Sequence, residues 1–431
     1  MHGGAPGRRL IALLQRQLIG CLVGKCSCLQ LRVVLFQLGG KVGSCSDGGG
    51  LEPGIFANGA EHDGTGGDGC VEPFPGKRLQ HRVCGPCIAV GQDVIDAAKC
   101  ISGIAVAAPD CAERGHDPVA EELVDGTAMA LDDGDGWTII DTGFASKRGR
   151  AIWEKLLAGP LQGRPVRRVI VTHHHPDHVG LAGWFMERGA TLHMPRTGWL
   201  MARMLTLDVQ AVPNAEALAF YKLAGMDPAV LEKRSKERPF NFADCVAPLP
   251  LGYTRLIDGE TIKMGGREWD IRMGNGHAPE HATFWSRDDN LVIGGDQLLP
   301  SISPNLGVYP TEPDADPVSD WLQSCETFQS YAGDDHFVLG GHKLPFTGLP
   351  LRLRQLIDNH HGALDRLMGF LDEPRSAGEC FMPIFKRSIA SGEYGLALVE
   401  AVAHLNHLHQ AGRVTRVLRE DGAWGFQRVM D

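Results

Sequence analysis

The feature that most constrains this chain is the segment at residues 172–178, Thr-His-His-His-Pro-Asp-His, in which four candidate metal ligands stand close together. It directly follows a short β-branched run that predicts a strand of an α/β domain. Because side chains alternate along an extended chain, His173 and His175 should point the same way. Asp177 and His178 come on the following turn. One segment can therefore serve two neighbouring metal ions of the zinc type.

Three further residues of ligand type follow later predicted strands, each after a glycine-containing turn: His277, Asp296 and His342. Glycine lets a backbone turn sharply and approach a metal without a clash at Cβ. Each of these residues alone would be a weak indication. Together with the central cluster they predict one metal site assembled from several strand ends.

The order of strand and helix signals predicts an α/β layered domain over residues 119–345. Strands and helices alternate as far as residue 194, and strands return after residue 260. Between them, residues 197–243 have a helical character that no strand pattern interrupts. Such an insertion either caps the site, as loops at the rim of a site commonly do, or packs without a role in substrate choice.

Residues 1–118 differ from the rest of the chain because they are rich in glycine and contain neither tryptophan nor tyrosine. We predict that this segment has little order and is no functional domain. Cys84 and Cys87 have the spacing of a redox dithiol, but no βαβ pattern surrounds them, so we interpret the pair as a chance occurrence. No apolar run is long enough to cross a membrane, and the few later cysteines fit a reducing cytoplasm.

Residues 346–431 predict a separate module of helices followed by a hairpin, similar to a winged helix. The segment has equal numbers of basic and acidic residues, and the whole chain has a net charge of -10. Nucleic-acid binders generally have a basic surplus, so a nucleic-acid partner is not expected. His404 and His407 are one helical turn apart, and we interpret them as packing or exposed residues rather than as metal ligands.

Residues 172–178, followed in order by His277, Asp296 and His342, resemble the metallo-β-lactamase superfamily signature His-x-His-x-Asp-His with a later His, Asp and His. Asp141-Thr-Gly143 resembles the family's early strand-end motif. The resemblance implies a four-layer αββα sandwich, with the site at the strand ends between two sheets. The C-terminal module is similar to that of β-lactamase-like protein 2 and its bacterial relatives.

The resemblance also implies a role for each candidate residue. The first metal would be held by His173, His175 and His277, the second by Asp177, His178 and His342, with Asp296 bridging the two. His174 and Asp141 would orient these ligands through hydrogen bonds. Two zinc ions per chain are expected from this ligand set, and iron or manganese are alternatives.

The implied reaction is hydrolysis, in which a hydroxide between the two metals attacks a carbonyl carbon or a phosphorus. Asp177 would hold or shuttle a proton. The favoured substrate is a small ester or thioester, as for hydroxyacylglutathione hydrolase. Residues 277–281 resemble that enzyme's His-x-Pro-Gly-His, with Glu280 in place of the glycine. A lactonase or β-lactamase activity would use the same site, and an endoribonuclease is a further alternative.

Overall fold

The computed structural model of the protein describes residues 105–107 and 126–429. The strands are β1 Ala105–Ala107, β2 Ala128–Asp132, β3 Trp137–Ile140, β4 Val166–Ile170, β5 Thr191–Pro195, β6 Thr254–Leu256, β7 Thr261–Met264, β8 Arg267–Gly274, β9 His281–Ser286, β10 Leu291–Gly295, β11 Phe337–Gly340, β12 Val414–Leu418 and β13 Trp424–Arg428. The helices are α1 Lys147–Ala158, α2 Pro176–Val179, α3 Ala182–Met186, α4 Arg196–Leu207, α5 Ala215–Leu223, α6 Pro228–Lys236, α7 Pro317–Gln329, α8 Leu349–Phe370, α9 Phe381–Phe385 and α10 Tyr394–Gln410.

Two mixed sheets form the centre of the fold. The first is six-stranded in the order β1-β2-β3-β4-β5-β6, and β3 to β6 run parallel. The second is five-stranded in the order β11-β10-β9-β8-β7, and only β10 and β11 run parallel in it. The two-stranded sheet of β12 and β13 is the hairpin predicted near the C-terminus.

Apolar side chains from both sheets pack against one another and make the central layer of the core. They include Met129, Ile140 and Ile170 from the first sheet and Trp269 and Phe284 from the second. The opposite face of the first sheet is covered by α1, α3 and α4, and the opposite face of the second by α7, α8 and α10. The four-layer αββα arrangement expected from the sequence is therefore confirmed.

The alternation of strand and helix signals predicts one continuous helix over residues 179–188, after the ligand cluster. The structure corrects this expectation, because the stretch is divided into α2 and α3. The backbone N–H of Leu181 donates to the carbonyl of Gly143 at 3.1 Å and to Thr142 Oγ1 at 2.9 Å. A Cβ on Gly180 would lie 2.3 Å from the same Gly143 oxygen, so only glycine allows this approach. The tight contact with the loop after β3 thus takes the place of a helical hydrogen bond.

The insertion contains three helices, α4 to α6, as its composition predicted. Its second and third helices contact the C-terminal unit, residues 346–431, where the hydroxyl of Tyr394 accepts a hydrogen bond from the backbone N–H of Asp227 at 2.9 Å.

The C-terminal helices and the hairpin lie where the sequence placed them. Short β6 and the 13-residue helix α7 had not been predicted. The winged-helix description stays a prediction.

His404 and His407 take part in packing, as interpreted from the sequence. His404 is buried, and its Nε2 lies 3.2 Å from Nδ1 of His360, while Nδ1 of His407 lies 3.0 Å from an oxygen of Asp316.

Within the described ranges no helix combines the length and the apolar character that a membrane crossing needs. The predicted low-order segment 1–118, with its Cys84 and Cys87, lies outside the described residues except for the strand β1.

The layer between the sheets gives a direct test of the fold. Phe284 has no exposed surface, whereas Phe240 in the insertion is 67% exposed. We expect Phe284→Ala to lower the free energy of unfolding by about 3–5 kcal/mol, because it opens a cavity in a closely packed core. The matched change Phe240→Ala should stay within about 0.5 kcal/mol of the parent. Urea denaturation measures both, and equal effects would contradict the packing described.

Candidate metal centre

The first group of candidate ligands is a triangle of imidazole nitrogens. Nε2 of His173 and Nδ1 of His175 lie 3.0 Å apart, and Nε2 of His277 lies 3.0 Å from the second and 3.3 Å from the first. Three nitrogens around one tetrahedral zinc at about 2.05 Å would stand about 3.3 Å apart. The side chains of His173 and His175 lie on one side of the bend that follows β4, as predicted.

The second group consists of Asp177, His178 and His342. Oδ2 of Asp177 lies 3.5 Å from Nε2 of His178 and 3.3 Å from Nε2 of His342. The two residues of the ligand cluster lie on the short helix α2, and His342 follows β11 in the second sheet. Side chains from both sheets therefore meet at the edge where their strands end.

Asp296 joins the two groups. Its Oδ2 lies 3.4 Å from Nε2 of His277 in the first group and 3.2 Å from Nε2 of His342 in the second. Its Oδ1 lies 3.4 Å from Nε2 of His178. All seven residues named from the sequence are thus brought together, with the shared carboxylate between the two triads.

The chemistry of these groups fits divalent metal ions. Nε2 of His178 and Oδ1 of Asp296 are buried and have no hydrogen-bond partner within the described chain. Burial lowers the pKa of His173 and His175 well below the usual value, which keeps both in the neutral form that binds a metal. The neutral imidazoles of the first group can therefore present buried lone pairs to a metal ion.

The carboxylates create a demand for positive charge in the second group. Burial alone would lower the pKa of His342, but the charges of Asp296 and Asp177 raise it to about 10. The pKa of His178 is raised in the same way, since these two carboxylates and Asp141 outweigh its burial. A metal ion would supply the same positive charge between the carboxylates without a proton.

Asp141 orients two of the ligands, as expected. His178 Nδ1–H donates to Asp141 Oδ2 at 2.8 Å, which leaves Nε2 directed at the site. The same oxygen accepts from Thr172 Oγ1 at 2.9 Å, and this hydroxyl lies 3.0 Å from Nδ1 of His173. Thr172 was not singled out from the sequence, although its position directly before the cluster could have suggested the role.

His174 does not orient ligands through hydrogen bonds, which corrects the expectation. Its Nδ1 is buried and has no hydrogen-bond partner in the part of the chain that the structure describes. Its ring instead packs against that of His175, with centroids 4.6 Å apart, and burial lowers its pKa to about 3.

His281 and Asn305 support the site and were missed. The backbone N–H of Asp296 donates to Nε2 of His281 at 3.0 Å, and the ring of His281 stacks on that of His173. Burial lowers the pKa of His281 to about 3, so its Nε2 stays free to accept. The carbonyl of Asn305 accepts from His277 Nδ1–H at 2.9 Å. His281 ends a recognised motif, whereas no periodic pattern marks the segment around Asn305.

Glu280 connects the loop of His277 to the insertion. Its φ of 51° is in the left-handed region, which glycine adopts at no cost and which suits the glycine of the related motif. Its Oε2 accepts from the backbone N–H of Thr197 at 2.6 Å, in the first turn of α4, and its Oε1 lies 3.5 Å from Arg255. The insertion is thus attached to the rim of the metal site.

The role of Asp141 can be tested without a substrate. Asp141→Asn keeps the shape of the side chain but removes the charge that holds His178 Nδ1–H. We expect metal affinity to fall by about 10- to 100-fold, the usual effect of losing such a partner. Titration of the zinc-free protein against a competing chelator measures it. Asp335→Asn, at an exposed carboxylate, is the control, and equal affinities of the two variants would refute the role.

The backbone at Glu280 gives a second test. Glu280→Ala and Glu280→Gly both lose the hydrogen bond to Thr197, but only alanine retains the steric cost of the left-handed conformation. We expect the glycine variant to be more stable than the alanine variant by about 1 kcal/mol. Thermal unfolding of the two proteins measures the difference. An alanine variant as stable as the glycine variant would show that the backbone here is not left-handed.

Comparison with known proteins identifies the family. Residues 122–342 match the metallo-beta-lactamase superfamily, and residues 364–429 match the metallo-beta-lactamase-like C-terminal domain. The crystal structure of a beta-lactamase domain protein from Burkholderia ambifaria is 34% identical, covers 70% of this chain and 88% of its own, and has a TM-score of 0.65. The family protein TTHA1429 from Thermus thermophilus shares the fold, with 24% identity, coverage of 76% and 99%, and a TM-score of 0.62.

A curated relative, the probable metallo-hydrolase YqjP of Bacillus subtilis (strain 168), is 26% identical over 295 residues, which are 65% of this chain and 87% of that protein. The ligand groups described above lie at or before His342, within the superfamily match. The C-terminal match begins within α8 and ends with the hairpin. The chain therefore belongs to the metallo-beta-lactamase superfamily and is a metal-dependent hydrolase.

Proposed function

We propose that the protein hydrolyses a small ester or thioester at a site for two metal ions. The observation that carries the proposal is the position of Asp296, whose carboxylate lies within 3.4 Å of nitrogens from both ligand groups. A carboxylate shared between two triads is the arrangement expected of a dinuclear centre. Neither triad alone would require it.

The donor set favours zinc, since imidazole nitrogens dominate and carboxylate oxygens complete it. His173, His175 and His277 would hold one ion, and Asp177, His178 and His342 the other. Divalent ions bound there would lower the pKa of water and stabilise negative charge on a substrate oxygen. Iron and manganese are accepted by the same ligand types.

Within this site Asp177 is the group proposed to handle protons. Its side chain is 13% exposed, against 8% for Asp296, so it is the carboxylate with more access to water. Burial would raise the pKa of Asp177, but the charge and hydrogen bond of His178 hold it well below the usual range. The residue therefore stays ionised, and in this proposal its carboxylate accepts a hydrogen bond from the attacking water and so holds the proton of that water in place.

The net charge of the chain, -10, favours a small substrate over the polyanionic backbone of RNA. Helix α4 begins beside the site, where a Cβ on Gly198 would lie 3.9 Å from the backbone nitrogen of His174. A cytoplasmic location and the absence of a nucleic-acid partner stay predictions.

Substitution of single ligands tests the proposal. His175→Ala and Asp177→Ala should each reduce hydrolysis by at least about a hundredfold and reduce bound metal, since both remove a ligand rather than its support. A panel of thioester, ester, lactone, β-lactam and RNA substrates, with metal content by mass spectrometry, measures both effects. The control His361→Ala, at an exposed histidine, should leave them unchanged.

The panel also separates the alternatives. Highest turnover on a thioester or ester supports the proposal, while highest turnover on a lactone, a β-lactam or RNA would replace it by that activity. Full activity of His175→Ala on every substrate would contradict the assignment of the site itself.

A further inference from the structure

We propose that Glu400, in the C-terminal helix α10, is a positioning residue for the metal site, acting on His277 through Asn305. The inference rests on the proposed function only in that His277 holds a metal ion. It gives the C-terminal unit a defined part in the metal centre, although all seven candidate ligands lie outside that unit.

The first step is the contact between Asn305 and the ligand. His277 Nδ1–H donates to the carbonyl oxygen of Asn305 at 2.9 Å. This bond fixes the proton on Nδ1 and therefore leaves the lone pair of Nε2 for the metal. A shift of the Asn305 peptide would rotate or release the His277 ring.

The second step is what holds Asn305 in place. Its side-chain amide donates to Glu400 Oε2 at 2.7 Å and to the carbonyl of Leu396 at 3.2 Å, both on α10. No strand or helix covers residues 299–308, so no ladder of backbone hydrogen bonds fixes this peptide. The position of the Asn305 carbonyl accordingly depends on its own side chain.

The same segment is fastened at other points by the C-terminal unit. Arg352 of α8 donates to the carbonyls of Leu299 and Ile302, each at 2.7 Å. Farther along, the backbone N–H of Val308 donates to the carbonyl of Val399 at 3.1 Å. These bonds hold the segment as a whole. Glu400 differs from them because its partner is the residue that contacts a ligand.

The link does not depend on the charge of Glu400. Burial raises its pKa to about 7, although the hydrogen bond from Asn305 acts in the opposite direction. Ionised or neutral, the side chain still presents an oxygen that accepts from the amide. Glutamine presents the same oxygen, so Glu400→Gln should preserve the link while Glu400→Ala removes it.

The experiment measures zinc affinity of the full-length protein by competition with a chromophoric chelator. We expect Glu400→Ala to weaken binding of the ion at His277 by about 10- to 100-fold, the range for loss of a residue that orients a ligand. Glu400→Gln should restore affinity to near the parent value. Asn305→Ala removes the same link from its other end and should reproduce the loss if Glu400→Ala does not fold.

Asn406→Ala is the matched control. Asn406 is on the same helix, is 2% exposed, and donates two hydrogen bonds to the catalytic domain, at the carbonyls of Pro313 and Ala315. Neither leads to a ligand, so this variant should lose stability but keep its zinc affinity.

In the double variant Glu400→Ala with Asn305→Ala, the second change should add little, because both remove the bond between Asn305 and Glu400 and only the longer bond to the Leu396 carbonyl is lost in addition. The cobalt-substituted protein provides a second readout, since its visible spectrum responds to the ligand nitrogens. Unchanged zinc affinity in Glu400→Ala, or an equal loss in Asn406→Ala, would overturn the proposal. Because these measurements need no substrate, they can fail while ester or thioester hydrolysis is observed, and the reverse is also possible.

Discussion

The structure depends on placing two carboxylates, Asp177 and Asp296, among buried imidazoles at the edge between two sheets. A buried carboxylate is costly unless positive charge or hydrogen bonds compensate it. Three imidazoles provide that compensation, since Asp177 lies within 3.5 Å of His178 and His342 and Asp296 within 3.4 Å of both and of His277. The parallel strands β3 and β4 of the first sheet and β10 and β11 of the second end at this edge. The segments after β4, β10 and β11 carry six of the ligand candidates, and the loop after β8 carries His277. The large apolar layer between the sheets supplies the rigidity with which these loops are held.

The chain itself orients the ligand side chains, through hydrogen bonds that need no metal ion. Nδ1 of His173, His178 and His277 meets the Thr172 hydroxyl, the Asp141 carboxylate and the Asn305 carbonyl, respectively. In each case Nδ1 carries the proton, and its hydrogen bond turns the ring so that Nε2 points into the site. Because these rings are already oriented, they lose less conformational entropy when a metal ion binds. The three partners come from different parts of the chain, so the catalytic domain and the segment bound by the C-terminal unit both define the geometry.

All seven ligand candidates could be predicted from the sequence. Four of them lie in the single segment 172–178, where ligand spacing is a local property of the chain. Strand-end residues such as Asp296 were found because a β-branched run and a glycine turn precede them. The supporting residues escaped for two physical reasons. Asn305 acts through its backbone carbonyl from an irregular segment, and a carbonyl has no sequence signal. His174 was expected to orient ligands through hydrogen bonds, but its buried ring packs against that of His175. Whether a buried ring packs or forms a hydrogen bond depends on contacts from distant parts of the chain, which local spacing does not contain.

Glu280 shows how a departure from a family pattern is tolerated. A left-handed conformation costs a non-glycine residue roughly 1–2 kcal/mol. A hydrogen bond donated to a charged carboxylate contributes about 1.5–3 kcal/mol, and α4 has no side-chain cap of its own at Pro195. The bond from Thr197 to Glu280 supplies that cap from another part of the chain and so offsets the strain. The exchange of glycine for glutamate therefore attaches α4 to the metal loop. The first turn of α4 is held by Glu280, which stands three residues after the ligand candidate His277. A substrate bound against α4 would therefore contact a helix that is fixed to the metal site.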